Sequence, residues 1–235
     1  MREENKEGNK IPNCVGIIMD GNRRWAKAQG MFALKGHQAG GETLKKVVQF
    51  ARDAGVKHII FFTFSTENWN RSEEEVSYLL DLIGSFLEKE FEYFNKEGGI
   101  LHCVGDMSRF SESLQKQLKD AEEKTAKNAG PHVYFALNYG GRAEILSAVK
   151  KIVAENPKPE EITEEYFGKH LQTGDMPDPD IIIRTSGEMR LSGFLPWQGV
   201  YSELFFTKTL WPDFSKEEFM SIIVEYGERD RRHGK

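Results

Sequence analysis

The chain has 235 residues, of which 39% are hydrophobic and 29% charged; 32 Lys and Arg against 37 Asp and Glu leave a net charge of −5. These values fit one or two folded domains and exclude disorder for the bulk of the chain. The acidic balance also argues against a dedicated nucleic-acid binder, which carries a basic excess. Cys14 and Cys103 are the only cysteines, too few for a disulfide framework and without a Cys-x-x-Cys zinc spacing, so a reducing compartment is expected. An aromatic content of 11%, with 16 Phe, asks for a reason.

Residues 1–12 are polar and charged, lack the apolar core of a signal peptide and are expected to form a flexible tail. No apolar run approaches the roughly 18 residues of a membrane-spanning helix, so a cytoplasmic protein is expected, with peripheral membrane contact left open. From there the apolar pattern alternates between two periods. Val15–Met19, Val56–Phe64, Ile100–Val104, Val133–Leu137, Ile181–Ile183 and Leu204–Phe206 read as buried strands. Between them, Leu44, Val47, Val48 and Ala51 mark a helix that Gly55 terminates. A long stripe runs over Val76, Leu79, Leu80, Ile83, Leu87, Phe91 and Phe94, and Ser72 with Glu75 makes a capping box at its start. Ile145, Leu146, Val149 and Val153 form another stripe, and Ser215 with Glu218 opens the last helix. The alternation predicts a single α/β domain with a mostly parallel six-stranded sheet flanked by helices.

In open α/β sheets ligands bind beyond the carboxyl ends of the strands, so the residues just after each strand form one set. They are Asp20-Gly21-Asn22-Arg23-Arg24-Trp25, Ser65-Thr66-Glu67-Asn68-Trp69-Asn70-Arg71, Asn138-Tyr139-Gly140-Gly141-Arg142, and Arg184 through Glu188 with Arg190 and Ser192. Glu203 stands just before the sixth strand. Arginine forks match phosphate oxygens, and backbone N–H groups at a strand-to-helix turn add donors. Asp20 and Glu203 offer oxygen ligands of the kind Mg²⁺ takes beside substrate phosphates. Taken singly, Asp20-Gly21-Asn22 is a turn, the arginines a solvated face and the four Trp core residues; the concurrence at strand ends carries the anion-binding reading. No P-loop, Gly-x-Gly-x-x-Gly or Gly-x-Ser-x-Gly motif is present, and no Asp-Asp-x-x-Asp.

These blocks resemble those of the cis-prenyltransferases, the undecaprenyl diphosphate synthase family. The similar segments are Met19 to Lys27 with Gly36-His37, Phe64 to Arg71, Gly105-Asp106 with Ser108-Arg109-Phe110, Asn138 to Arg142, Ile183 to Glu188 with Arg190 to Ser192 and Phe194 to Gln198, Glu203-Leu204 with Phe206, and Leu210 to Phe214. The likeness runs in order from Val15 to Gly234 and implies that residues 13–235 are a catalytic domain. The family condenses isopentenyl diphosphate onto an allylic diphosphate, usually farnesyl diphosphate, with Mg²⁺ and as a homodimer; its bacterial members make the glycan lipid carrier. The resemblance implies that Asp20 holds Mg²⁺ with Glu203, and that Gly21, Asn22, Arg23, Arg24, His37 and Arg71 cradle the allylic diphosphate, beside Trp25. It implies that Asn68 takes part in proton removal, flanked by Ser65, Thr66, Glu67 and Trp69. Arg184, Arg190, Leu191 and Ser192 would bind isopentenyl diphosphate, and Arg232 with Gly234 would reach the partner subunit's site.

The growing hydrocarbon needs an apolar tunnel, for which the Val76–Phe94 stripe, the Leu44–Ala51 helix, Phe61, Phe62 and Phe64 are candidate walls. The chain departs from the family pattern at Ala33, where an arginine is common, at Met189 and at His233. Three rival readings remain at this level: the same chemistry with a shorter or longer product, a catalytically dead partner subunit, which would lack the Asp20 and Asn68 blocks, and a phosphometabolite-binding domain without turnover.

Overall fold

A computed structural model describes residues 10–89 and 91–229. Six strands, β1 (Cys14–Ile18), β2 (His58–Ser65), β3 (Ile100–Val104), β4 (His132–Tyr139), β5 (Ile181–Arg184) and β6 (Glu203–Phe206), form one sheet in the order β3-β4-β2-β1-β5-β6. Every pairing is parallel, so each crossover needs a covering segment. The helices are α1 (Asn22–Ala28), α2 (Ala33–Asp53), α3 (Glu73–Lys89), α4 (Phe91–Lys96), α5 (Glu112–Thr125), α6 (Gly141–Glu155), α7 (Glu164–His170) and α8 (Lys216–Glu228). The chain proceeds from β1 to one side and from β5 to the other, so the strand order reverses between them, and a crevice opens there at the carboxyl ends.

The expected strands all form, and the caps behave as their chemistry requires. Gly55 follows α2 at φ +86°. Ser72 Oγ accepts from Glu75 N, and Ser215 Oγ from Glu218 N at 3.2 Å. The long stripe becomes α3 and α4, on either side of residue 90, which lies outside the described residues. Val76, Leu79, Phe91 and Phe94 are buried in the main core with α2, α5 and α8. The second face carries a smaller core of Cys14, Ile18, Ile60, Tyr134, Tyr139 and Phe194. Both cysteines are free, and burial pushes both thiols up.

One stripe faces outward. Leu146, Val149 and Val153 are 60%, 42% and 70% exposed, while Glu144, Ala148 and Ile152 form the buried side of α6. Glu144 faces inward because Tyr139 Oη, Thr173 Oγ1 and Gln198 Nε2 donate to its carboxylate at 2.6, 2.7 and 3.2 Å. A carboxylate so satisfied replaces the apolar contact that helical periodicity predicts.

Toward the β3 edge the second face is half-open and holds a ladder of imidazoles. His58 and His132 stack at 4.8 Å, His102 and His132 at 5.1 Å, and His102 Nε2 lies 2.8 Å from His132 Nδ1. Burial, then the neighbouring His132 and His102, push the His58 pKa from 6.5 down to about 4. Between those values the unfolded chain holds a proton that the folded chain does not, so stability falls as pH drops from 6.5 toward 4. For a half-exposed group the effect is on the order of 1 kcal/mol, about 2–4 °C in a chain of this size. His58→Gln should shrink the drop in melting temperature between pH 7 and pH 5 by that amount; an unchanged drop would exclude the ladder as its source.

Candidate functional site

β1 and β5 run side by side, with Ile18 opposite Arg184. Two residues beyond Ile18, Asp20 meets the end of β5. Arg184 Nη2 donates to Asp20 Oδ2 at 2.8 Å, its Nη1 to Ser192 Oγ at 2.9 Å and also to the Arg190 carbonyl. Thr185 Oγ1 accepts from Asp20 N at 3.0 Å and donates to Asp20 O at 2.6 Å, stitching the two loops together. Arg24, one turn into α1, donates to Ser186 O at 3.1 Å and approaches Asp20 Oδ1 at 3.4 Å and Glu188 at 3.6 Å. Arg190 pairs with Glu188. Burial alone would raise the Asp20 pKa, but the hydrogen bond and charge of Arg184, with Ser186 and Arg24, outweigh it and hold the carboxyl below its usual range.

A second group assembles around Glu75, at the start of α3. Arg71 Nη1 donates to Glu75 Oε1 at 2.8 Å, and Arg23 Nη1 and His37 Nε2 lie 3.6 and 3.7 Å from its carboxylate. His37 Nε2 is buried without a hydrogen-bond partner, and burial, then the charge of Arg71, push this imidazole down, so it is neutral near pH 7. Glycines make this convergence possible. Gly21 holds φ +111°, and a Cβ there would lie 2.9 Å from Leu210 Cδ2; a Cβ on Gly36 would lie 1.9 Å from Asn22 O. The bare Gly36 lets α2 rest on the start of α1, which sets His37 beside Asn22.

Asp20 and Arg24 of the first group and Arg23, His37 and Arg71 of the second line one cleft with Gly21, Asn22, Lys27, Met31 and Ala33. At Met19, Asn22 and His37 the cleft passes into an apolar cavity walled by Leu44, Leu79, Leu82, Ile83, Phe86, Leu87, Leu118, Phe135 and Trp211 among others. Leu44 and Phe86 also line a second cavity, with Val48, Phe94, Gly99 and Pro131, and so partition the two.

The 3₁₀ turn Thr66–Asn70 carries the next expected residues. Ser65 N donates to Asn68 Oδ1 at 3.1 Å, and Ser65 Oγ caps the backbone of Asn68. With its oxygen accepting from Ser65 N, what Asn68 has left to offer is its amide N–H groups, donors rather than a base. Thr66 packs against Gly140, where a Cβ would come within 2.3 Å of its Oγ1, and Glu67 is exposed.

Other expected site residues stand elsewhere. Trp25 Nε1 donates to Asp213 at 2.7 Å, anchoring α1 on the Trp211–Asp213 turn. Leu191 packs on the second-face core. Glu203 pairs with Ile181 at the start of β5, three residues, roughly 10 Å, upstream of the Asp20 end. It accepts from Arg229 Nη1 at 2.6 Å. Asp20 and Glu203 are therefore not gathered within this chain, and no group of three or more His, Cys, Asp or Glu among the described residues could hold a metal. A single carboxylate beside a cradle of arginines does fit Mg²⁺ shared with substrate phosphates. Phe62 lies on the second face against Phe194 and Tyr139, and Phe61 and Phe64 are filled core, so these three do not wall the cavity. Arg232 and Gly234 lie outside the described residues. Sequence reasoning missed Glu75 as a cradle residue, because its capping-box spacing already accounted for it; it gave no role to Lys27, at the end of the first block, and missed Met31, which belongs to no block.

A family model described as putative undecaprenyl diphosphate synthase matches residues 18–234. The chain is 47% identical over 227 residues to an isoprenyl transferase of Thermotoga maritima, covering 96% of this chain and 97% of that one. It is also 47% identical over 231 residues to one of Clostridium acetobutylicum, covering 95% and 90%. Among solved structures it resembles lavandulyl diphosphate synthase from Lavandula x intermedia in complex with dimethylallyl diphosphate (TM-score 0.92, 35% identity, covering 96% of this chain and 99% of that one). It also resembles a probable undecaprenyl diphosphate synthase from Campylobacter jejuni (TM-score 0.81, 31% identity, covering 97% and 100%).

The buried Arg184 guanidinium has Asp20 as its counterion. Asp20→Ala should therefore lower stability by about 1–3 kcal/mol, and Asp20→Asn, which keeps an acceptor, by less than about 1 kcal/mol. Urea unfolding midpoints measure both; an Asp20→Ala protein as stable as the parent would contradict the assignment.

Proposed function

The chain belongs to the undecaprenyl diphosphate synthase family of prenyltransferases, and from that premise we propose that it condenses isopentenyl diphosphate successively onto an allylic diphosphate. Farnesyl diphosphate is the proposed primer and a long polyprenyl diphosphate of the undecaprenyl kind the product, a precursor of a glycan lipid carrier. The observation that carries this reading is the junction at Met19, Asn22 and His37, where an arginine-lined cleft becomes an apolar cavity. Such a site suits an amphiphile with an anionic head and a hydrocarbon tail.

In this reading Arg23, His37 and Arg71, with the α1 start at Gly21 and Asn22, hold the allylic diphosphate, while Arg184, Arg190 and Ser192 hold the second diphosphate. Two cradles fixed on neighbouring loops solve the orientation problem of bringing a homoallylic double bond to an allylic carbon. Fixed arginines also stabilise the charge that develops on the leaving diphosphate. Mg²⁺ held by Asp20 and substrate oxygens would add positive charge to that leaving group. Asn68, with its oxygen bound to Ser65 N, is read as a donor that orients substrate, and a diphosphate oxygen takes the final proton. A homodimer is part of the proposal: the outward apolar residues of α6 leave a face for a second copy, and Arg232 and Gly234 would complete the partner's site. We place the reaction in the cytoplasm with product release at a membrane surface; no described helix is long and apolar enough to cross a membrane. The Leu44–Phe86 partition favours a second reading, the same chemistry ending at a shorter product.

One assay tests the set. With Mg²⁺, labelled isopentenyl diphosphate and farnesyl diphosphate, the protein should yield chain-extended diphosphates, and Asp20→Asn should lower kcat on the order of 100-fold. Phe86→Ala, which opens the second cavity, should shift products to longer chains. No incorporation with farnesyl, geranyl or geranylgeranyl primers would overturn the enzyme reading; unchanged lengths in Phe86→Ala would overturn the partition.

A further inference from the structure

Trp69 follows Asn68 in the turn after β2, and its indole is gripped from outside the cleft. Trp69 Nε1 donates to Asn138 Oδ1 at 2.7 Å, and Asn138 Nδ2 donates onward to the Asp106 carbonyl at 2.6 Å. Asn138, the penultimate residue of β4, is 4% exposed. It holds φ +46°, a left-handed conformation that asparagine tolerates better than other side chains. The guanidinium of Arg109 lies 3.9 Å from the centre of the Trp69 ring. Phe64 meets the ring edge-on at 5.2 Å, and Phe110 lies 6.3 Å away. Residues from β2, from the turn after β3 and from the end of β4 thus form one socket for a half-buried indole. Neither Asn138 nor Arg109 lines the cleft or the cavity.

We propose that Asn138 and Arg109 are positioning residues that act through Trp69 to fix the Asn68 amide over the reacting diphosphates. The inference rests on the prenyl-transfer reading above. The Ser65–Asn68 box fixes the first half of the turn from within, and the socket fixes the second half from the sheet. Packing alone would need an aromatic ring at position 69 but not its N–H, and would need no side chain at Asn138. Orientation needs both, because one hydrogen bond sets the rotation of the indole, and the backbone of Asn68 is continuous with it.

The test pairs Asn138→Gly with Trp69→Phe. Glycine accepts φ +46° without strain, so Asn138→Gly keeps the fold while losing both side-chain bonds, and Trp69→Phe keeps the ring while losing the donor. Each should lower kcat about tenfold, the effect of one well-placed hydrogen bond, and the double variant should fall no further than about twofold below either single. KM for isopentenyl diphosphate should stay within about twofold, since its cradle is built on β5. Arg109→Ala should likewise lower kcat with that KM unchanged. A substrate-free readout accompanies the kinetics: the Trp69 indole N–H resonance in ¹⁵N-tryptophan-labelled protein, identified by its loss in Trp69→Phe, should move in Asn138→Gly. A double-variant loss equal to the product of the single losses would overturn the proposal. So would an Asn138→Gly protein in which kcat and the indole resonance are both unchanged. Absence of prenyl transfer in the parent protein would instead sink the functional reading, and the indole resonance alone would then decide the socket.

Discussion

A guanidinium buried at the end of a strand is costly unless its donors are met, and the site is organised by how the two terminal nitrogens of Arg184 are met. β5 delivers it to the crevice, where Asp20 supplies the charge and accepts from one terminal nitrogen, Ser192 and the Arg190 carbonyl accept from the other, and the buried Nε is left without a hydrogen-bond partner. The same contacts fold the loop after β5 back over the strand end and tie it to the loop after β1, with Thr185 as the second stitch. Asp20 is held below the usual carboxylate range by this pairing. It is therefore charged near neutrality. Its share of the stability is present above the ordinary carboxylate pKa and lost as the pH falls through the lowered one.

Glu75 does the corresponding work for the second cradle. Without substrate, Arg23, Arg71 and His37 would be like charges or unmet donors crowded at one place, and a carboxylate from the next helix gathers them. Two groups built around internal carboxylates explain how an acidic chain of net charge −5 can gather several arginines at one cleft. The total averages over a surface that the site does not use. The aromatic content divides in a similar way. Phe86, Phe135 and Trp211 wall the cavity, while Phe61, Phe64 and Phe219 are solid core.

Much of this was legible in the sequence because it depends on local chemistry. Short β-branched runs gave the six strands, Ser72 and Ser215 gave the helix starts, and polar blocks after strands gave the cleft. What was not legible depends on which way a side chain turns once the sheet is assembled. Periodicity found the Leu146–Val153 stripe but could not tell that a satisfied Glu144 claims the inner face of α6. Alternation along β2 sends Phe62 to the far face from the cavity. Trp25 and Leu191 lie within recognisable blocks yet face the structure rather than the cleft. Glu203 neighbours the sixth strand as read, but the parallel register puts it at the upstream end, away from Asp20. Spacing along the chain carries no information about register between strands distant in sequence.

The central claim is that the β1–β5 crevice is a diphosphate site in which Asp20 is free to share a cation with the ligand. Calorimetric titration of inorganic diphosphate into the parent protein and Asp20→Asn, each with and without Mg²⁺, measures this most directly. Both proteins should bind diphosphate, and Mg²⁺ should tighten binding in the parent protein alone. A parent protein that fails to bind diphosphate, or an equal effect of Mg²⁺ in both proteins, would contradict it.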